Sequence, residues 1–438
     1  MSDTISAYRR PRLLSPVREH LRDNFWFAPM AAMVLVMLAW LAASALDSEV
    51  VRQLQADGDF DQLSELVNVT EDIKPVISTV SSAMMTFIGV VFSISLVAVQ
   101  MASGQFSPRV VRIFVRSRIT KSTFAVFLAT FVLSLAVLSS YESETDPRLI
   151  GTVPLVQSLL TLVMVALSLL LFVAYVNATL RLMRVGQVVE RIAGEAFRTL
   201  ERQPGAWDPE WELPAESGVV RYAGRAGVLR DVNIARLVLV ARRHSLVVRL
   251  IPRIGDFVVP GAPLLAVHGG DVPGRASMTV RSSVSVAAER TFHQDLGFGL
   301  RQLADIALRA LSPAVNDPTT AVQCLDRIMQ LLAAVVSQPL GAVQHRDAKG
   351  VVRLVQPVPE WNDLVNLGLA EVRGCAVGSP QVTRRLMAVL DDLAALAPEG
   401  RVEVLAHHRE LLVRAVERAV PEAADRVFAL SPDHQGIG

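Results

Sequence analysis

The run Val76–Met101 (VISTVSSAMMTFIGVVFSISLVAVQM) contains no charged residue. At about 1.5 Å per residue, a helix of that length crosses the ~30 Å hydrocarbon core of a bilayer. Gly104 and Pro108 stop it, and Arg109, Arg112, Arg116 and Arg118 follow as a basic collar. Three further runs share its character: Phe25–Leu46, Ser122–Ser140 and Val153–Ala178. None of the four contains Asp, Glu, Lys, Arg or His. A chain of 438 residues, 51% hydrophobic and 19% charged, fits a membrane protein better than a soluble one. Its net charge of +1 gives no basis for nucleic-acid binding.

The charges between the runs set a direction. Residues 1–24 carry Arg9, Arg10, Arg12, Arg18 and Arg22, and the loop 102–121 carries the collar and Lys121. Arg181, Arg184, Arg191, Arg198 and Arg202 follow the last run. The two other connections are acidic: Asp47–Lys74, and the loop holding Glu142, Glu144 and Asp146. By the positive-inside rule the N-terminus and the C-terminal half are cytoplasmic and the acidic loops face outward. Ala43-Ser44-Ala45 resembles a signal-peptidase site, but the apolar run before it exceeds the ~7–15 residues of a signal core. Trp26 and Trp40 sit where interfacial aromatics belong, so the first run reads as a retained anchor. Val50, Val51, Leu54, Leu63, Leu66 and Val67 predict one or two short amphipathic helices between the first two spans. Leu182, Val185, Val188, Val189 and Ile192 predict that the fourth helix continues to about Leu200, so the transmembrane domain covers 25–200.

Residues 203–214 (QPGAWDPEWELP) read as a linker. A small α/β domain follows at 215–288, with Asn233 as the N-cap of its helix and Gly255-Asp256 and Pro260-Gly261 as turns. Residues 289–430 are mainly helical. They include a helix ended by Ser312-Pro313, one begun by Asp317-Pro318, a hairpin at 342–355, and helices at 361–372, 381–396 and 401–420. The tail 431–438 is expected to be disordered. The fold class is therefore an α-helical integral membrane domain of four transmembrane helices plus a cytoplasmic α+β domain with a helical C-terminal region.

Cys324 and Cys375 form no CxxC, and His244, His268, His293, His345, His407 and His408 show no metal-ligand spacing. There is no nucleophile elbow, Walker A loop or dinucleotide fingerprint; Gln294–Gly299 (QDLGFG) has too few glycines to cradle a phosphate. No catalytic residue, metal or cofactor is expected, and the chain reads as a non-enzyme. A metal-dependent enzyme would need the Asp295 and Asp317 carboxylates to meet.

The segments Phe92–Arg109 (FSISLVAVQMASGQFSPR), Arg253–Leu265 (RIGDFVVPGAPLL) and Glu289–Asp326, with SPAVNDPTTA at Ser312–Ala321, resemble a bacterial membrane-protein family known as domain of unknown function 2254. The resemblance covers nearly the whole chain. It implies an inner-membrane protein with four spans and a cytoplasmic domain, and it supplies no activity. Arg253–Val267 is also similar to half of a biotinyl/lipoyl-type domain, but Lys74, Lys121 and Lys349 are the only lysines and none lies there.

Three groups of residues are candidates for function. Ser82, Thr86, Gly89, Ser93, Gln100 and Gly104 share one face of the second helix, as a packing seam or as a pore wall. Arg109, Arg112, Arg116 and Arg118 anchor that helix at anionic headgroups, or ring a pore mouth. Arg290, Asp295, Asp305, Arg309, Asn316 and Asp317 are expected to form one polar network. Two functions fit. One is a homo-oligomer with a channel-like or permeation-gating role controlled by its cytoplasmic domain. The other is a membrane-anchored sensor or scaffold that binds a soluble partner or small ligand. In both, the lipid bilayer is the surrounding partner.

Overall fold

The structure is a computed structural model describing residues 26–105, 118–141, 151–182, 184–201, 208, 211–270, 279 and 281–435, with backbone alone at 102–105 and 182. Among these residues four helices are long and apolar enough to cross a membrane: α1 (Phe27–Asp57), α2 (Phe60–Gln105), α3 (Arg118–Ser139) and α4 (Leu155–Leu182). The residues after Arg184 form a separate compact unit.

The segment expected to hold short helices between the first two spans is instead carried by extensions of the same two helices. α1 runs on to Asp57, and α2 is one helix of 46 residues, about 69 Å long. The break is confined to Gly58-Asp59. Gly58 adopts φ +74° and closes α1 by donating to the Gln55 and Leu54 carbonyls. The amphipathic spacing was real, but its stripe continues the buried face of each span: Val51, Leu63 and Val153 pack together. Pro75 lies inside α2 and removes one backbone donor, and the helix continues through it.

α3 is the central helix of this unit. Half of its most apolar window is buried, against 17% in each of the other three. Thr130 and Ser168 meet at 3.0 Å across α3 and α4, and Tyr175 of α4 hydrogen-bonds Ser95 at 2.6 Å and donates to the Val91 carbonyl at 3.0 Å. Asp47, 2% exposed, accepts the Val156 N–H at 2.8 Å and the Gln157 side chain at 3.1 Å, and so caps the start of α4.

In the second unit, α5 (Val185–Glu201) is a helix of its own, not an extension of α4. α4 is apolar all round, whereas α5 buries one stripe: Val188, Val189, Ile192, Ala193 and Ala196. The strands are β1 (Glu216–Arg221), β2 (Gly227–Val232), β3 (Val247–Leu250), β4 (Phe257–Val258), β5 (Pro263–His268), β6 (Val284–Ala287), β7 (Ala342–Arg346) and β8 (Val352–Pro357). They form one sheet in the order β1-β5-β3-β8-β7 and another in the order β4-β2-β6. β3 and β8 pair in parallel, Val248 opposite Leu354, and the other pairings are antiparallel. The expected domain boundary at 288/289 is therefore not a boundary, because the β7–β8 hairpin completes the sheet begun before it. Helix α6 (Ile234–Arg243), capped by Asn233 at 3.0 Å, buries Leu237, Val238 and Ala241 in the core with Leu250, Leu265 and Leu354.

The remaining helices are α7 (Leu296–Ala310), α8 (Pro318–Val335), α9 (Trp361–Val365), α10 (Glu371–Ala376), α11 (Pro380–Leu396), α12 (Glu399–Ala419) and α13 (Ala423–Leu430). α9 and α10 are joined by a π-helical turn, Asn366–Ala370, where the sequence predicts one regular helix. Residues 431–435 are not free. The Asp433 N–H donates to the Arg384 carbonyl at 3.1 Å, and Arg385 donates to the Asp433 carbonyl at 3.2 Å.

Candidate functional site

Two of the motif segments meet in the α+β unit. The chain leaves β3 in a tight turn at Arg253–Asp256, where the Arg253 N–H donates to Asp256 Oδ2 at 2.8 Å. Gly255 sits at φ +99° against an ion pair whose carboxylate is buried. A Cβ there would lie 2.7 Å from Asp295 Oδ2 and 2.8 Å from Arg290 Nη2, so only glycine lets the turn pass.

That ion pair is bidentate. Arg290 donates from Nε to Asp295 Oδ2 at 2.7 Å and from Nη2 to Oδ1 at 2.8 Å. Asp295 is also the N-cap of α7 and accepts the Phe298 N–H at 3.1 Å. The Arg290 guanidinium lies 5.4 Å from the Phe298 ring centroid. Burial pushes the Asp295 pKa up, and the Arg290 contact opposes it.

The third wall comes from α9 and the π turn. Asp363 pairs with Arg253 and accepts the Glu360 N–H at 3.1 Å. Asn366 Oδ1 lies 2.9 Å from His408 Nε2. Burial lowers the His408 pKa to about 4, so the imidazole is neutral, and the tautomer protonated at Nε2 donates to the Asn366 carbonyl oxygen. The three walls line an open cleft of about 390 Å³.

The six residues expected to form one network are divided. Arg290 and Asp295 are paired as described. Asp305 pairs with Arg301 at 2.7 Å, and Arg301 also binds Glu371 at 3.2 Å. Asp317 caps α8, accepting the Thr320 N–H at 3.0 Å, beside Asn316 at φ +49°. Arg309 is exposed in the last turn of α7. Asp295 and Asp317 cap successive helices and flank α7, whose 15 residues span about 22 Å, so the two carboxylates do not meet. Among the described residues no group of three or more His, Cys, Asp or Glu is placed to hold a metal. The sequence reading missed Arg253, Asp256, Asp363 and Asn366. The one signal for them was the RIGDF segment itself, which pointed to family and not to a site.

In the membrane helices, Ser82, Thr86, Gly89, Ser93 and Gln100 are all exposed on α2. The opposite face is the one that packs: Ile77, Met84, Val91 and Ala98 are at most 4% exposed. These five residues are therefore not buried by the chain's own described helices. Gly104 is described in backbone alone. Arg118 is exposed at the start of α3, and Arg109, Arg112 and Arg116 lie outside the described residues.

Four bilayer-length apolar helices followed by a mixed α+β unit define an integral membrane protein. The chain belongs to the family described as predicted membrane protein DUF2254, which matches residues 22–392. An uncharacterised protein of Mycobacterium bovis is 28% identical over 381 residues, covering 82% of this chain and 71% of that one. An uncharacterised protein of Mycobacterium tuberculosis matches with the same identity and coverage. No solved structure matches the chain.

Proposed function

We propose that the protein is a homo-oligomer of the bacterial inner membrane in which α2 frames a polar path. Its α+β unit is cytoplasmic and controls that path. One observation carries this reading: the polar face from Ser82 to Gln100 is left uncovered by the chain's own helices. Gln100 is costly in hydrocarbon, and the small residues beside it permit close approach of another helix. Four helices leave little room for a path within one chain, whereas a path between copies needs only hydroxyls, amides and backbone. The absence of ionisable residues from the four apolar runs argues against a proton relay. No residue is assigned a catalytic role.

The test is the mass of the purified protein in nanodiscs together with recording across a planar bilayer. Conductance by an assembled oligomer, lost on Ser93→Leu with Gln100→Leu, is expected. A well-assembled oligomer that stays silent under applied voltage would sink the idea.

The charged cavity favours a second reading, a membrane-anchored sensor or scaffold whose cytoplasmic unit binds a soluble partner or small ligand. On that reading Ser93 and Gln100 tolerate leucine, and Arg290 tolerates no change.

A further inference from the structure

We propose that the cavity bounded by Arg253, Arg290, Asp363 and Asn366 binds a small zwitterion of amino-acid type, and that occupancy is passed through α7 to α5. The binding step stands by itself, while its use as a control site rests on the oligomeric reading above.

The cavity, about 390 Å³, falls within the size range of small-molecule sites. Its donors are only partly used. Arg290 spends Nε and Nη2 on Asp295, which leaves Nη1. Arg253 gives Asp363 one nitrogen, which leaves Nε and Nη2. Asn366 spends its carbonyl on His408, which leaves its amide N–H groups. Acceptors remain as well: Asp256 and Asp363 each bond through Oδ2, which leaves Oδ1.

The charge balance chooses among ligands. Two guanidiniums face three carboxylates, Asp256, Asp295 and Asp363. A phosphate dianion would enter a site that already carries an excess of negative charge. A simple ammonium would satisfy Asp256 and Asp363 but leave the arginine and Asn366 donors unused. A carboxylate with a neighbouring ammonium satisfies both sets.

The site is also partly preorganised. The Arg290–Asp295 pair is held by burial, bidentate geometry and the helix cap. The Arg253–Asp363 pair is half-exposed, 39% and 46%, so Arg253 can re-aim at little cost. The π turn that presents Asn366 is a rare geometry that recurs at functional sites.

The route out of the site is short. Gly297 in the first turn of α7 lines the cavity. Gly299, in the next positions, packs so closely on α5 that a Cβ there would overlap Ala196. Thr199 of α5 donates to the Phe292 carbonyl at 2.5 Å, and Glu190 of α5 pairs with Arg327 of α8.

The experiment is calorimetric titration of the full chain in detergent with glycine, L-serine, L-glutamate and L-lysine, against acetate, inorganic phosphate and putrescine. Hydrogen exchange is followed over residues 185–201. Saturable binding of at least one amino acid, with none of acetate, phosphate or putrescine alone, is the expected result. Arg253→Gln should weaken that binding roughly tenfold or more, while Arg418→Gln, exposed in the last turn of α12 and absent from the cleft lining, leaves it unchanged. Exchange over 185–201 should slow on binding. Binding of acetate, phosphate or putrescine alone, no binding of any amino acid at millimolar concentration, or indifference to Arg253→Gln overturns the site. Binding without a change in exchange overturns the coupling to α5. A silent bilayer with intact amino-acid binding would count against the path and not against the site.

Discussion

Asp47 shows how much one residue can hide. In the sequence it is the first acid of an acidic connection, and it reads as an outward-facing charge. In the structure it is buried and holds the Val156 N–H and the Gln157 side chain. Asp47→Ala leaves those donors without an acceptor, a cost of about 1–3 kcal/mol. Asp47→Asn keeps one acceptor oxygen but loses the charge at the helix start, so it should cost less. Thermal unfolding in detergent measures both, and equal losses would contradict this role. His345 makes a second residue-scale prediction. It is 4% exposed, 3.1 Å from Gln356, and burial lowers its pKa to about 4. The unfolded chain takes up that proton near pH 6.5. Between about pH 6.5 and 4 the unfolded state therefore binds more protons. The contribution is fully present above pH 6.5 and is lost as pH falls, by about 2 kcal/mol at pH 5. Melting curves at pH 7.5 and pH 5 should separate for the native chain and converge in part for His345→Gln.

At the scale of elements, the contact between α5 and α7 is the one most exposed to a single change. Gly299→Ala places a methyl on Ala196 and should destabilise by about 1–3 kcal/mol. Ala196→Gly in the same chain vacates that volume, so the double variant should recover part of the loss, a coupling that a double-mutant cycle reads directly. Additive losses would mean that the helices do not meet there. Helices of this kind were legible where an apolar stripe had clear ends, as with Asn233 and Asp317 at their caps. They were misjudged where polarity and helix breaking do not coincide. Pro75 and the acids of 47–74 look like an interruption, yet a proline costs one backbone bond, and burial of Leu63 and Ile77 on its two sides holds the helix together. The site was half legible for a similar reason. Arg290 and Asp295 are close in sequence and do pair. Asp305, Arg309, Asn316 and Asp317 are also close in sequence, but α7 is rigid and carries them away from Asp295. Arg253 and Asp363 pair across a separation of 110 residues, which no local pattern records.

For the whole molecule, the proposed orientation rests on charge placement, and the native cysteines supply a way to test it. Cys324 is fully buried and its thiol pKa is pushed up by burial, so it is inert to thiol reagents. Cys375 is exposed. A membrane-impermeant maleimide therefore reports the position of the α+β unit in the unaltered chain. With that unit cytoplasmic, Cys375 labels in inside-out vesicles and is protected in right-side-out ones. Gln62→Cys in a Cys375→Ser chain probes the turn of the long α1–α2 hairpin, where Gln62 is exposed, and should label with the opposite pattern. Reversal of both patterns would invert the topology and place the charged cavity outside the cell. Labelling of both sites from one side would contradict something more basic. Three spans, α2, α3 and α4, separate residue 62 from residue 375, and an odd number of crossings must put them on opposite faces.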